Sequence, residues 1–255
     1  MIELSKRLLT IAEQVPPKSR IADIGSDHGL LPVYLVQKGL ATAGIAGELN
    51  EGPFKAAQKQ VAVAGLQQQI SVRRGDGLSV LQSFEADVVT IAGMGGSLIA
   101  DILEQGKQRL ADVQRLVLQP NVAEDAIRRW LVANDWLLVS ESILLEDGKH
   151  YEVLTAIRTP DAKSQNAELY ASRSWHGISI STEWLYVMGP MLVEQAGPVF
   201  VQKWEDECRK REIIIRKMEG SQLESAALKR ISFCKEIEFI KEMLACLPMD
   251  KSSYR

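Results

Sequence analysis

Between residues 20 and 140, short apolar runs alternate with longer amphipathic stretches, and no feature of this chain restricts its fold more. The runs are Ile21–Ile24, Ala43–Ala46, Ile70–Val72, Val88–Ala92 and Leu116–Leu118, and a helical pattern follows most of them. Strands buried on both faces and joined by helical crossovers make a largely parallel sheet. The rhythm then changes. Leu137–Leu144 meets Tyr151–Ile157 across a polar stretch containing Asp147-Gly148. No helix fits in that gap, so the two runs are expected to form an antiparallel hairpin. Upstream, Leu4, Leu8, Leu9, Ile11, Ala12 and Val15 recur at helical spacing and stop at Pro16-Pro17, which cannot continue a helix.

With 255 residues the chain has room for one α/β domain and an appended module. The polar stretch from Thr159 to Asn166 reads as a linker, dividing the chain into residues 1–160, a linker at 161–177, and a second unit at 178–255. In that unit Met188-Gly189-Pro190 and Ala196-Gly197-Pro198 punctuate the chain before a helical pattern over 199–218. Gly220-Ser221 then reverses it into a last helix ending near Leu247, before Pro248, which together predict a helical hairpin. No apolar stretch approaches the ~20 residues of a membrane span. The N-terminal residues mix acid and base among apolar positions, as expected for a cytoplasmic protein. Cys208, Cys234 and Cys246 are odd in number, far apart and without His at ligand spacing. They predict no disulfide framework and no metal site, and are read as helix-packing residues. A net charge of −3 argues against a protein that coats nucleic acid indiscriminately, yet leaves room for a local basic patch.

The first βα turn reads Asp23-Ile24-Gly25-Ser26-Asp27-His28-Gly29, with Gly25 and Gly29 either side of Asp27. A dinucleotide site normally has glycine at the middle position, because the pyrophosphate lies against the backbone there. A carboxylate would repel it. S-adenosylmethionine has no phosphate, and acids at Asp23 and Asp27 are compatible with its ammonium, sulfonium and ribose. Glu48, about 20 residues further on, is placed to accept hydrogen bonds from ribose hydroxyls, and Asp76, beside Gly77, from an adenine amine. The segment Ala92-Gly93-Met94-Gly95-Gly96 crowds glycines where the methyl donor is expected to sit, and the fifth strand ends in Gln119-Pro120-Asn121. His28 faces either the cofactor or the target base, and His150 and Tyr151 begin the second hairpin strand at the same rim. Each site has a plainer alternative: Asp-Gly is a common turn, Asn121 can be satisfied by its own loop, and His28 can be a structural residue.

Four segments carry a family resemblance: Ile-Gly-Ser-Asp-His-Gly-Leu-Leu-Pro at 24–32, Ala-Gly-Glu-Leu-Asn-Glu-Gly-Pro at 46–53, Thr-Ile-Ala-Gly-Met-Gly-Gly at 90–96 and Leu-Gln-Pro-Asn at 118–121. Together with Glu141–Leu144, Lys149–Glu152, Gly189-Pro190 and Pro198–Trp204, they resemble the bacterial tRNA methyltransferases that modify N1 of adenine 22. The resemblance spans nearly the whole chain. It implies a seven-stranded, Rossmann-like class I methyltransferase domain with a coiled-coil-like helical pair, S-adenosyl-L-methionine as cofactor, and tRNA as substrate. One departure stands at Gly29-Leu30-Leu31, where the family commonly has an aromatic residue.

On this reading Asp23, Gly25, Asp27, Gly29, Glu48, Asp76, Gly77, Ala92, Gly93, Met94 and Gly95 bind the cofactor. Asp27, His28 and Asn121 hold the base edge or stabilise the cationic product, and Gln119, Pro120 and Tyr151 line the substrate side. On the C-terminal helices, Phe200, Trp204, Cys208, Leu228, Ile231 and Leu244 are read as packing stripes. Arg209 with Arg216 and Lys210 with Lys217, two turns apart, share a face expected to meet tRNA backbone, and Lys229-Arg230 belongs near it. Acidic neighbours Glu205, Asp206, Glu207 and Glu212 leave open a merely solvated face. A nicotinamide-dependent dehydrogenase, or a noncatalytic protein binding RNA or sensing the cofactor, are the competing readings of the same turn.

Overall fold

The computed structural model describes residues 2–220 and 223–247. A helix, α1 (Lys6–Glu13), precedes six strands: β1 (Ser19–Ile24), β2 (Ala41–Glu48), β3 (Ile70–Arg74), β4 (Val88–Met94), β5 (Arg115–Pro120) and β6 (Trp136–Glu146). Helices α2 (Leu30–Gln37), α3 (Glu51–Val63), α4 (Gly96–Gln105) and α5 (Glu124–Ala133) make the crossovers, and β7 (Lys149–Arg158) closes the sheet. The strand order is β3-β2-β1-β4-β5-β7-β6, with β7 antiparallel to both neighbours. Asp147 and Gly148 form the hairpin turn with positive φ at both positions, the twist that a two-residue hairpin loop requires.

Side chains alternate along the strands between two cores. Ile21, Val88 and Val117 pack with Ile11, Leu31, Leu35 and Val61 under α1, α2 and α3. Ala22, Ile24, Val89, Ile91, Leu116 and Leu118 pack on the other face with Ile99 and Leu103 of α4 and Ile127 and Leu131 of α5. Both faces being covered explains why the parallel strands are continuously apolar rather than alternating with polar residues.

The stretch expected to be an irregular linker carries structure. It holds α6 (Ala162–Leu169) and a two-stranded hairpin of β8 (Arg173–Trp175) and β9 (Ile178–Ile180). Asn166, almost fully buried, donates from Nδ2 to the Trp136 carbonyl at 2.8 Å, so its polarity seals a chain end and does not mark a tether. After α7 (Thr182–Met188) and α8 (Pro190–Gln195), α9 (Pro198–Met218) and α10 (Glu224–Ala245) form the expected antiparallel pair. The reversal at Ser221 and the stop at Pro248 lie outside the described residues.

Phe200, Trp204 and Cys208 of α9 are buried as expected and belong to the same core as the sheet. The α10 stripe differs in part: Leu244 packs against the core as expected, but its other members do not. Ile237, Ile240 and Met243 make the contact, whereas Leu228 and Ile231 are 62% and 54% exposed. The 3.6-residue period identified a helix but not where along it the partner's apolar face ends. Cys234, read as a packing residue, is exposed as well. Among the described residues no helix is long and apolar enough to cross a membrane.

A buried ionic network joins the helices to the sheet. Arg128 of α5, fully buried, donates to Glu141 of β6 at 2.7 Å and to Glu152 of β7. Lys203 of α9 reaches Glu152 and Glu124. The Glu141 carboxylate also accepts from the Met191 amide at 2.9 Å. Gly189 is packed so closely on Arg128 and Glu141 that a Cβ there would meet Arg128 Nη2 at 2.6 Å. Desolvation pushes Glu141 upward in pKa despite its guanidinium partner. Removing that partner strands the buried Glu141 carboxylate and leaves Glu152 to Lys203 alone. Arg128→Met is expected to cost about 3–5 kcal/mol in urea unfolding, with a smaller loss at acidic pH, where Glu141 can protonate. A loss below about 1 kcal/mol at neutral pH would show that the network is not needed.

Candidate functional site

At the carboxyl ends of the central strands lies a cavity of ≈ 380 Å³, walled in part by Asp23, Gly25, Asp27, Glu48, Gly93 and Met94. Its volume is within the ~300–1,000 Å³ typical of small-molecule sites, and its place is where open α/β sheets bind ligands.

The first turn is held in a conformation that L-residues avoid. Gly25, Asp27, His28 and Gly29 all have positive φ, from 40° at Asp27 to 71° at His28. Local hydrogen bonds hold this conformation in place. The Asp27 amide donates to Glu48 Oε1 at 2.5 Å, and the Gly25 and Ser26 amides both donate to the Gly47 carbonyl. Ser26 Oγ donates to Asp23 Oδ2 at 2.6 Å and Thr90 Oγ1 to Asp23 Oδ1 at 2.5 Å. A Cβ on Gly25 would run into Met94 Cε and fill the space between the two loops. The absent side chain at Gly25 thus lets Met94 pack directly against the turn.

Burial raises the Asp23 carboxyl above the usual range, with its two hydroxyl donors and the Arg7 charge opposing the shift. Burial likewise raises Glu48, opposed by the Asp27 amide and reinforced by Asp23 and Asp27. Asp23 lines the cavity, but both its oxygens accept hydroxyls of its own fold. Glu48 has one oxygen engaged by Asp27, leaving the other for a ligand.

Several expected site residues lie elsewhere. His28 is not among the residues walling the cavity; its side chain is more than half exposed, 3.3 Å from the Asp27 carboxylate. Gly29 caps α2, Gly95 caps α4, and Asp76 with Gly77 opens a 3-10 turn beside the cavity, outside its wall. Gln119 and Pro120, expected on the substrate side, are buried. Gln119 accepts from Arg7 Nη1 at 2.6 Å and from the Gly93 amide at 3.1 Å, and donates to the Pro120 carbonyl. It braces the two loops. Asn121 does line the cavity, with its amide donating to the Gly93 carbonyl at 2.8 Å.

Ala92, Gly93, Met94 and Tyr151 take their expected places in the wall. Arg7, Leu8, Ser26, Leu30 and Pro53 join them unforeseen. Arg7 lies 5.5 Å over the Tyr151 ring. Helical periodicity marks only the apolar side of α1, so nothing local announced that its basic side faces a cleft.

Of the C-terminal cations, Arg209 pairs with Asp206, and Lys210 with Glu207 at 2.8 Å. Arg216 and Lys217 are exposed in the last turn of α9, and among the described residues no ion pair is recorded for either.

Strand order, the antiparallel β7 and the acidic, phosphate-excluding first turn define a class I S-adenosylmethionine-dependent methyltransferase. The model of the tRNA (adenine(22)-N(1))-methyltransferase family matches residues 21–242. A Bacillus subtilis enzyme of that description is 43% identical over 95% of this chain and 98% of its own length. The crystal structure of the Bacillus subtilis tRNA methyltransferase TrmK superposes with a TM-score of 0.84 at 40% identity, covering 96% of this chain and all of that one. A Streptococcus pneumoniae relative solved in complex with S-adenosyl-L-methionine gives 0.79 at 38% identity, over 95% of this chain and all of its own. The chain belongs to the tRNA (adenine(22)-N(1))-methyltransferase family. Nothing supports the nicotinamide or noncatalytic readings.

Because Glu48 titrates above its ordinary value, the folded chain retains a proton that the unfolded chain has released. Stability from this group falls as pH rises from the carboxylate range through the raised value. Glu48→Gln, which cannot ionise, is expected to flatten the pH dependence of urea unfolding between acid and neutral pH. It is also expected to weaken S-adenosylmethionine binding about tenfold or more by calorimetry, since a hydrogen bond to a charged acceptor is lost. Undiminished affinity would remove Glu48 from the cofactor site.

Proposed function

We infer that this chain methylates N1 of adenine 22 in tRNA, with S-adenosylmethionine as methyl donor, and that it works in the cytoplasm, where that substrate is made. The observation that carries the reading is the acidic cavity at the first βα turn, with Asp27 where a dinucleotide enzyme needs glycine. The donor set fits the cofactor: carboxylates for ribose hydroxyls and an ammonium, and a glycine, Gly93, in the wall for close approach.

When bound, S-adenosylmethionine supplies an electrophilic methyl on a cationic sulfur. Adenine N1 carries a lone pair and no proton, so it can attack in line without a general base. The protein's tasks are therefore positioning and electrostatics. Glu48 holds the ribose, and the Gly93-Met94 backbone borders the reacting centre. Asn121 and Tyr151 flank the opening through which a base enters. Asp27, whose carboxylate sits at the rim, favours the positive charge that the base acquires on methylation. N1 lies on the pairing edge of adenine, so the base must leave any pairing before it reaches Asn121. Arg216 and Lys217 supply the phosphate contacts of the helical pair, and Arg209 and Lys210 contribute less because acids already neutralise them.

Unmodified bacterial tRNA incubated with labelled cofactor is expected to yield labelled 1-methyladenosine at position 22 on nucleoside analysis. Label confined to another nucleoside would overturn the substrate assignment. Replacing Arg216 and Lys217 with Ser is expected to flatten the salt dependence of tRNA binding by about 1.5 in log–log slope, and the same change at Arg209 and Lys210 by less. An equal effect of the two pairs would contradict the ranking.

A further inference from the structure

Four charged side chains are among the described residues that wall the cavity: Asp23, Asp27, Glu48 and Arg7. The cation stands apart from the acids in origin, since it comes from α1, outside the βα units. It is also held with care. The Arg7 amide donates to Glu146 Oε2 at 3.3 Å and the Lys6 amide to Glu146 Oε1 at 2.6 Å, so one carboxylate from the end of β6 caps the first turn of α1. Its guanidinium lies over Tyr151, and Nη1 bonds to Gln119, which also receives the Gly93 amide. Among the described residues no partner is recorded for its Nε and Nη2, and Nη1 stands 3.6 Å from the point a Cβ on Gly93 would occupy.

We propose that Arg7 binds the carboxylate at the amino-acid end of S-adenosylmethionine, a role that rests on the cofactor reading above. Strand order gives the orientation. Glu48 ends β2, Asp23 ends β1, Gly93 lies near the end of β4, and Gln119 lies near the end of β5, in the spatial sequence β2-β1-β4-β5. A cofactor whose ribose is held by Glu48 therefore extends its other end toward β4 and β5, some two or three strand spacings of about 4.8 Å away. That end carries an ammonium and a carboxylate. The acids suit the ammonium. The carboxylate is the one anionic group on the molecule, and Arg7 is the cation beside it, with a planar fork suited to bidentate pairing. The pairing also serves the reaction, because a bare guanidinium next to a base becoming cationic would oppose the charge that forms. A carboxylate-paired guanidinium does not. Gln119 and Tyr151 gain a purpose as the surfaces that hold Arg7 in place.

Decarboxylated S-adenosylmethionine, which keeps the adenosine, sulfonium and amine but lacks the carboxylate, isolates the interaction. Calorimetric titration of the wild type is expected to show a preference for the intact cofactor of about tenfold or more. Arg7→Gln is expected to lower affinity for the intact cofactor by a similar factor while leaving that for the decarboxylated form unchanged, so that the preference falls toward one. Arg7→Lys is expected to restore part of it. A variant that is merely damaged lowers both affinities and keeps the preference, which would overturn the proposal. So would unchanged cofactor affinities accompanied by weaker tRNA binding, the outcome expected if Arg7 met a phosphate of the substrate. A wild type that binds neither form would instead bring down the cofactor reading itself.

Discussion

The hydrogen bond from the Asp27 amide to the Glu48 carboxylate, beside those of Gly25 and Ser26 to the Gly47 carbonyl, holds the geometry on which the site depends. Asp27, His28 and Gly29 run through the left-handed region in succession, and two of the three are residues for which it is unfavourable by roughly 1–2 kcal/mol each. Glu48 lies at the end of the neighbouring strand and takes the Asp27 amide, tying the loop to β2. The same side chain is the one expected to hold ribose. Fold and ligand thus draw on two oxygens of one group. Its raised pKa reflects the cost of keeping a charge where the empty fold alone would favour a neutral residue. Such a conflict between stability and charge is common where a binding group is prepared in advance.

The second constraint is the buried network of Arg128, Glu141, Glu152, Lys203 and Glu124. It ties α9 to the two antiparallel strands and to the start of α5, three residues beyond Asn121. A basic helical pair that grips a nucleic acid is useful to a methyltransferase only if its position relative to the cavity is fixed. Apolar contacts at Phe200 and Trp204 give adhesion without direction, while ion pairs with defined partners set one register. Lys203 is held above its ordinary pKa by the two carboxylates, against desolvation, so the link persists through neutral pH.

What the sequence disclosed follows the range of the interactions involved. The parallel strands, the hairpin at Asp147-Gly148 and the acids at strand ends are visible because each depends on neighbours a few residues away. Glu48, Gly93 and Met94 reach the cavity wall because strands deliver their ends to a common edge. Gln119 was misassigned: an amide at a strand end looks like a ligand group, and only the fold shows Arg7, over a hundred residues earlier, and Gly93 consuming its oxygen. His28 was open between a ligand-facing and a structural role, and the structure places its side chain largely exposed, outside the cavity wall. Arg7 was invisible because its place in the cavity wall arises from α1 packing across the sheet, and the exposure of Leu228 and Ile231 because a helical stripe does not reveal where its partner stops.

The charge pattern of the chain bears on how an acidic protein can use a polyanionic substrate. Several cations of the helical pair are neutralised by near neighbours: Arg209 by Asp206, Lys210 by Glu207, Arg211 by Glu207 and Glu236, Lys241 by Glu212. Such pairs contribute little to stability at a surface, and each must be broken before its cation can meet phosphate. Binding then gains less from counterion release than the count of Lys and Arg suggests, and indiscriminate adhesion to nucleic acid is reduced in proportion. Arg216 and Lys217, at the far end of α9 from the Lys203 anchor, are exposed and have no ion pair among the described residues. On the proposed reading the substrate is engaged at two separated places, exposed cations of the helical pair and an acidic cavity at the base. A polyanion can satisfy both only by presenting phosphates at one and a single unpaired base at the other. That requirement selects for a folded RNA of definite dimensions, which a uniformly basic surface would not.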